Sequence, residues 1–327
     1  MTSSPLLTVA PMEGLTGVIF RQVHSRFFGG ADQYYIPFVT PTTLPKFTER
    51  QLRELAPEVN AGFEAVPQLL TRRTEDFIWA AKALADLGYT EVNLNLGCPA
   101  GTVVAKGKGS GFLRTPNELQ QFLDTIFSAD LGIDISVKTR VGWSDESEFD
   151  LLSDVYNHFP MKVLIVHPRL KTDMYRGKPR QALLDRYAAT MKMPLGYNGD
   201  LVTPADIESI QVRYEGLQQI MVGRALMADP ALFRKAKGGA AAARSEIVEF
   251  SNTLFEAYAT AFESRNNALM RMKEYWFYQL NLFKDSEKLG KNLFKAKTPE
   301  VFFEALKPIV ESLEVLDDAR FGWEKPL

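Results

Sequence analysis

The 327-residue chain has one cysteine, Cys98, set in the segment Asn95-Leu96-Gly97-Cys98-Pro99. Gly97 and Pro99 restrict the backbone on both sides, so a turn should present the thiol instead of packing it into a strand. A thiol of ordinary pKa, about 8.5, keeps its proton at neutral pH and can serve as a general acid. A nucleophilic role would want a lowered pKa and a basic neighbour. The plain alternative is a small buried apolar residue, the usual fate of a lone cysteine. One cysteine forms no internal disulfide. With only His24, His158 and His167 besides, a zinc centre is hard to assemble, and no metal is expected.

Other chemically useful residues recur at the ends of short apolar runs. They are Pro11, Met12 and Glu13, then Gln68, then Lys138 and Arg140, then His167, then Asn198-Gly199-Asp200, then Gly223-Arg224. Polar groups in apolar runs are costly unless paired, so their recurrence suggests one shared polar site. Asn198-Gly199-Asp200 and Gly223-Arg224 together suit a ligand phosphate, held by backbone N–H groups and a forked cation. Singly, Asn-Gly-Asp is an ordinary turn. Lys138 is either a surface lysine at a strand end or a fixed charge beside a cofactor ring. His167 is either a satisfied core histidine or a donor to such a group.

Eight runs rich in Val, Ile and Leu carry these residues. They begin at Leu7, Tyr34, Val66, Val92, Ile135, Val163, Pro194 and Gln219, and they fit buried parallel strands. Amphipathic helices lie between them. Phe77, Ala80, Leu84 and Leu87 share a face, with Gly88 placed to stop the helix. Pro116 opens another, with Leu119, Phe122, Leu123 and Ile126 inward. Eight alternations over about 220 residues predict an α/β fold, a closed (β/α)8 TIM barrel, whose active residues sit at the C-terminal strand ends. After Gly238-Gly239 the composition changes and no strand runs follow. Phe302, Leu306, Ile309, Leu313 and Leu316 repeat at helical spacing. The expected division is a barrel domain at 1–239 and an all-helical domain at 240–327.

Apolar residues make up 46% and charged residues 24%, enough for a large core and against disorder. No run approaches the ~20 apolar residues of a membrane helix, and residues 1–5 carry no basic, apolar leader. A cytoplasmic protein without membrane contact is expected. The net charge of −2 does not advertise a nucleic-acid partner, so any phosphate-bearing partner must meet a local patch. Residues 265–297 supply one, with eight Lys or Arg against three acids. Tyr275, Trp276, Tyr278 and Phe294 are interleaved there, a pattern suited to phosphate contacts and base stacking. For Trp276 and Phe277 a place in a helical core is the better reading.

Taken in order, Ala10-Pro11-Met12-Glu13-Gly14, Asn95-Leu96-Gly97-Cys98-Pro99, Val137-Lys138-Thr139-Arg140, His167, Asn198-Gly199-Asp200 and Val222-Gly223-Arg224-Ala225 resemble the tRNA-dihydrouridine synthase family. The resemblance covers the barrel and the helical segment after it. It implies a flavoenzyme that uses bound FMN and transient NADPH to reduce uridine in tRNA to 5,6-dihydrouridine. FMN contacts would fall on Pro11, Met12, Glu13, Gln68, Lys138, His167, Asn198, Gly199, Asp200, Gly223 and Arg224. Cys98 would donate the proton, and Asn95 would help hold the uracil. Arg271-Met272-Lys273-Glu274-Tyr275-Trp276 resembles the C-type subfamily, which acts at position 16 in the D loop. Tyr35, Arg271, Lys273 and Lys295 would then contact RNA. A monomer is expected. The glycine-rich segment Gly107–Phe112 departs from the small-residue run common in relatives.

Hydride transfer is cofactor chemistry, so saturating a uracil requires a redox group, with the protein supplying orientation and a proton. No Gly-x-Gly-x-x-Gly fingerprint is evident, consistent with loosely docked NADPH. A flavin barrel acting on a small molecule would share the lysine and the phosphate motifs but would not need a basic helical appendage. A non-catalytic RNA-binding protein would not need Lys138, the turn at Cys98 and the phosphate motifs together.

Overall fold

The computed structural model describes residues 4–320. Eight parallel strands close into a barrel in chain order. They are β1 (Leu6–Val9), β2 (Gln33–Val39), β3 (Ala65–Leu69), β4 (Glu91–Leu96), β5 (Asp134–Gly142), β6 (Leu164–Leu170), β7 (Leu195–Asn198) and β8 (Gln219–Val222). The amide of Leu6 donates to the carbonyl of Gln218 at 2.9 Å, tying the first strand to the entry of the last. The fold is therefore the expected TIM barrel followed by a helical C-terminal region.

Helices fall where the apolar spacing predicts. Thr74–Asp86 buries Phe77, Ala80 and Leu84, and Gly88 beyond it takes φ 93°. Pro116–Ser128 starts on its proline and buries Leu119, Phe122, Leu123 and Ile126. The proline lacks an N–H that the first helical turn would leave unpaired in any case.

Two strands outrun the expectation. β5 extends to Gly142 and β6 to Leu170, which takes Arg140 and Arg169 into the sheet. Charged residues read as loop, but both guanidinium groups find partners at the barrel mouth. A register shift between Arg140 and Gly142 accommodates the longer β5, a bulge of the kind that re-aims side chains near a site.

The chain divides into two compact units that interleave along the sequence. The barrel unit holds the residues up to Pro11, Asp32–Asp200 and Ile210–Met221. Part of its interior is apolar, with Ala10, Tyr35, Val66, Val163, Ile165 and Met221 clustered. Tyr35 is fully buried there. Its hydroxyl donates to Glu91 Oε1 at 3.2 Å and accepts from Gln219 Nε2 at 3.0 Å. Strands β2, β4 and β8 are not sheet neighbours, so these contacts cross the lumen.

The second unit holds Met12–Ala31, Leu201–Ser209 and the chain from Val222. Its core is aromatic. Phe20, His24, Phe28 and Tyr275 gather around Phe250, with ring centroids 5.0–6.5 Å from it. Burial pushes the His24 imidazolium down to about 4, so the ring is neutral in the core, where its Nε2 lies 2.8 Å from the Pro230 carbonyl. Trp276 is buried and donates to Ser251 Oγ at 3.0 Å, in keeping with its core reading. The last helix is Pro299–Ser312, shorter than the apolar spacing predicts. Leu313 caps it, and Leu316 lies beyond, where the chain bridges back with Val315 paired to Phe283. Apolar spacing of three also fits residues that fold back onto the same core.

The burial of Tyr35 gives a direct check. Tyr35→Phe removes the hydroxyl that Glu91 and Gln219 share, and is expected to cost about 1–3 kcal/mol in urea denaturation. RNA affinity should be unchanged, and a weakened complex would return Tyr35 to the RNA surface.

Candidate active site

Strand register assembles the mouth of the barrel. Gln68 pairs with Asn93 across β3 and β4, Asn95 with Lys138 across β4 and β5, and Arg140 with His167 across β5 and β6. Alternation along each strand then places Asn95, Lys138, Arg140, His167 and Arg169 on the lumen side. A slip of one residue in β5 would send Lys138 and Arg140 to the outer face.

Both backbone polar groups of Gly97 and both of Cys98 are held. Asn95 Oδ1 accepts from the N–H groups of Gly97 at 3.1 Å and Cys98 at 2.9 Å. Arg140 Nε donates to the Gly97 carbonyl at 3.0 Å. The Cys98 carbonyl accepts from Ser110 Oγ at 2.9 Å and from the Ser110 amide at 3.1 Å. Pro99 has no N–H to satisfy. The glycine-rich segment explains itself here. Gly109 sits at φ 55°, and a Cβ on it would fall 2.7 Å from the Cys98 carbonyl oxygen. Only glycine brings this loop close enough to grip the turn. Cys98 is half-buried, so its thiol is neither sealed in the core nor free on the surface.

Three cations line this end of β5 and β6, and they differ in how they are answered. Arg140 is buried, and besides Gly97 it donates from Nη1 to the Leu170 carbonyl at 2.7 Å. Its guanidinium lies 5.2 Å from the Tyr175 ring centre. Arg169, wholly buried, pairs with Asp200 and donates to the Gly177 carbonyl. Its Nη1 also donates to His167 Nε2 at 3.0 Å. Arginine only donates, so that nitrogen of His167 accepts and the ring proton sits on Nδ1. Lys138 is half-buried, and its ammonium has no hydrogen bond or ion pair among the described residues. Burial, followed by repulsion from Arg140 and opposed by Cys98, brings it down to about 7.

The structure reassigns several expected contacts. Tyr35 is a lumen residue with no RNA-facing surface, because its hydroxyl is committed to Glu91 and Gln219. Gln68 is fully buried and has both amide ends engaged, donating to Asn93 Oδ1 and accepting from Asn95 Nδ2, each at 2.7 Å. It braces Asn95 from behind. One of the two Asn95 amide hydrogens is thereby committed to Gln68. Asn198 Nδ2 donates to the Met221 carbonyl at 2.7 Å, bracing β7 to β8. Asp200 sits at φ 39°, in the left-handed region that asparagine and aspartate tolerate.

Met12, Glu13, Gly223 and Arg224 belong to the second unit. The Met12 carbonyl accepts from the amides of Leu15 and Thr16 in a tight turn. Gly14 takes φ 81°, and a Cβ on it would meet Arg271 Nη1 at 2.6 Å. Gly223 opens the short helix Arg224–Ala228. On the helices, Arg271 pairs with Glu274 and Lys273 donates to the Ala296 carbonyl, whereas Lys295 is exposed. Lys284, Lys288, Lys291 and Lys297 are exposed as well.

Arg169, Asn93, Ser136 and Ser110 are not singled out by the sequence reading. For Arg169 the available signal is its spacing, two residues beyond His167 and so on the same strand face. Among the described residues no cluster of His, Cys, Asp and Glu could hold a metal ion, and no helix is long and apolar enough to cross a membrane.

Comparison with known proteins agrees with this arrangement. A family model described as dihydrouridine synthase (Dus) matches residues 8–315. The chain is 26% identical over 227 residues to tRNA-dihydrouridine synthase B of Pasteurella multocida, covering 69% of this chain and 67% of that one. It is 26% identical over 236 residues to tRNA-dihydrouridine synthase B of Vibrio cholerae, covering 70% of each. Among solved structures, a 2-naphthoyl-CoA reductase complex superposes with a TM-score of 0.54 at 14% identity, over 71% of this chain and 50% of that one, a likeness of fold alone. With the family model spanning both the barrel and the helical region, the chain belongs to the dihydrouridine synthase family.

Proposed function

We propose that the chain is an FMN-dependent tRNA-dihydrouridine synthase in which Cys98 protonates the uracil ring. The observation that carries this reading is the pairing of a half-buried thiol on a fully braced turn with an unanswered cation, Lys138, beside it. A half-buried ammonium with no partner fits a site completed by an electron-rich group. FMN is such a group, through its phosphate and its reduced ring.

In the barrel unit, Pro11, Lys138, His167, Asn198, Gly199 and Asp200 would hold FMN. Met12, Glu13, Gly223 and Arg224 follow directly in the chain from β1 and β8 and are assigned to it on the family resemblance. Gln68 supports Asn95 instead. When bound, FMN reduced by NADPH supplies hydride to C6 of the uracil. The protein's own part is the proton. The Cys98 S–H bond breaks and a C5–H bond forms, so the C5–C6 double bond is saturated and the thiolate is left to be reprotonated from solvent. Asn95 donates its remaining amide hydrogen to the uracil. Lys138, when charged, favours negative charge developing nearby.

We assign residues 1–239 as the FMN-binding catalytic part and 240–327 as the tRNA-binding part. Support for tRNA comes from the exposed lysines at 284, 288, 291, 295 and 297, with Phe294 exposed among them. A small-molecule reductase has no use for that surface. Arg271 and Lys273 would exchange their present partners for phosphate. The segment Arg271–Trp276 supports the C-type reading, and with it position 16 of the D loop. A target base must leave its stack to reach a barrel mouth, which loop nucleotides do most cheaply. The enzyme is proposed to act as a cytoplasmic monomer.

Cys98→Ala is expected to lower dihydrouridine formation by about 100-fold or more, the range general acids supply, without loss of bound flavin. Mass spectrometry of tRNA after single turnover checks it, and near-normal product would show that another acid serves. The position of Lys138 near 7 has a sign that can be followed. In the ligand-free protein the charge is lost above pH 7, while the unfolded chain keeps it to about 10.5, so this group makes stability rise with pH between about 7 and 10.5 and adds no pH dependence below 7, where both states are charged. An anionic ligand wants the charge back. FMN affinity, read by fluorescence quenching, should fall about tenfold between pH 7 and 9, and Lys138→Met should flatten that fall.

A further inference from the structure

The lumen carries one continuous run of polar side chains from the N-terminal end of β4 to the cysteine turn, and groups of fixed polarity stand at both of its ends. Glu91 is buried and pairs with Lys162, Nζ to Oε2, at 3.2 Å. Its carboxylate only accepts. Ser136 Oγ lies 2.6 Å from Glu91 Oε1, so the hydroxyl must donate there and turn a lone pair to Asn93. Asn93 Nδ2 donates to that lone pair at 2.8 Å, which leaves Asn93 Oδ1 to accept from Gln68 Nε2 at 2.7 Å. Gln68 Oε1 must then accept from Asn95 Nδ2, also at 2.7 Å. The Asn95 oxygen is thereby left facing the N–H groups of Gly97 and Cys98. Each amide in the run has the orientation its neighbours require, with a carboxylate that only accepts at one end and two backbone N–H groups that only donate at the other. All five residues are buried, so water cannot substitute for a missing partner without entering the barrel.

We propose that Glu91 is a positioning residue for Cys98, whose carboxylate sets the orientation of the Asn95 amide through Ser136, Asn93 and Gln68 and so holds the cysteine turn. Its catalytic meaning rests on the reading of Cys98 as proton donor, but the orientation itself does not.

The polarity can be reversed by one substitution. In Glu91→Gln the side chain has one oxygen and one NH2 group. Lys162 has only donors, so it claims the oxygen and the NH2 group turns to Ser136. That NH2 group displaces the two protons the Oε1 position accepted, from Ser136 and from Tyr35. With the Ser136 proton turned onward to Asn93 each amide flips in turn, and Asn95 meets the Gly97 and Cys98 N–H groups donor to donor. Adding Lys162→Met removes the claim on the oxygen, and the original direction returns. A merely structural loss of the buried ion pair predicts the opposite, because the double variant removes more of it.

Cys98 is the only thiol, so its alkylation by iodoacetamide, followed by intact mass on the flavin-loaded full chain, reads the turn without any assay of turnover. Glu91→Gln and Ser136→Ala are expected to change the alkylation rate about fivefold or more, and Glu91→Gln with Lys162→Met to bring it back to within about twofold of the original. Dihydrouridine formation should follow the same order. An unchanged rate in Glu91→Gln, or a double variant further from the original than the single one, overturns the proposal. Should Glu91→Gln fail to fold, Ser136→Ala against Ser136→Thr gives the same test. Threonine keeps the donor and the original rate, alanine does not, and equal rates in the two sink the idea. If the original protein forms no dihydrouridine, the functional reading fails while the alkylation result stands.

Discussion

The grip of Asn95 on Gly97 and Cys98 is the interaction the cysteine turn depends on, and on the proposed reading it holds still a thiol that delivers a proton to one carbon atom. Two adjacent N–H groups share one amide oxygen. Arg140 takes the Gly97 carbonyl and Ser110 takes that of Cys98. Four backbone groups in two residues are thus held by three side chains from β4, β5 and the loop at 109–114. Each bond is modest on its own, about 1 kcal/mol net, but together they leave the turn no alternative geometry. Catalytic positioning of this kind tolerates errors well under an ångström, which is why the grip comes from strand residues instead of from the turn itself.

That grip explains an otherwise costly barrel interior. A parallel barrel fills its lumen with side chains, usually branched aliphatics in layers. Here Val66, Ile165 and Met221 fill part of it in that way. The side lined by β3, β4 and β5 instead holds glutamine, asparagine, serine and glutamate. Buried polar groups stabilise nothing unless every one is matched, and a half-matched network is worse than an apolar core. The run from Glu91 to Asn95 is matched at each step, with Lys162 answering the charge at its foot. Burial works against the Lys162 charge, but Glu91 and Asp134 hold it above its ordinary range. What the interior loses in apolar burial it gains in a unique orientation of each amide.

The barrel is legible in the sequence because its signal is redundant. Eight apolar runs, interleaved with helical spacing, leave few topologies. The cysteine turn is legible from Gly97 and Pro99, which constrain the backbone locally. Lumen partners are harder. Tyr35 lies in a run that reads as a buried strand and is placed on RNA only by the C-type resemblance, and closure of the barrel shows that its hydroxyl reaches Glu91 and Gln219. Gln68 reads as a polar residue aimed at a cofactor, yet its engagement on both sides depends on a register that no local pattern encodes. Arg169 escapes notice because a charge beyond an expected strand end reads as loop. Its contact with His167 is local to β6, but its ion pair with Asp200, beyond the end of β7, is set by the packing of β6 against β7.

The three cations at the mouth show why lysine stands where it does. Arg140 and Arg169 have structural work, since each joins backbone carbonyls and side chains from different strands with its forked donors. A guanidinium holds its charge in any protein environment, so it suits permanent braces. At position 138 an arginine would impose a permanent charge on a site that must also stand without a ligand. Lysine can give its proton up. Burial and Arg140 set it near 7, so it can hold or give up its charge, and on the proposed reading an electron-rich group arriving beside it restores that charge. The permanent cations hold the geometry, and the titrating one responds to what is bound.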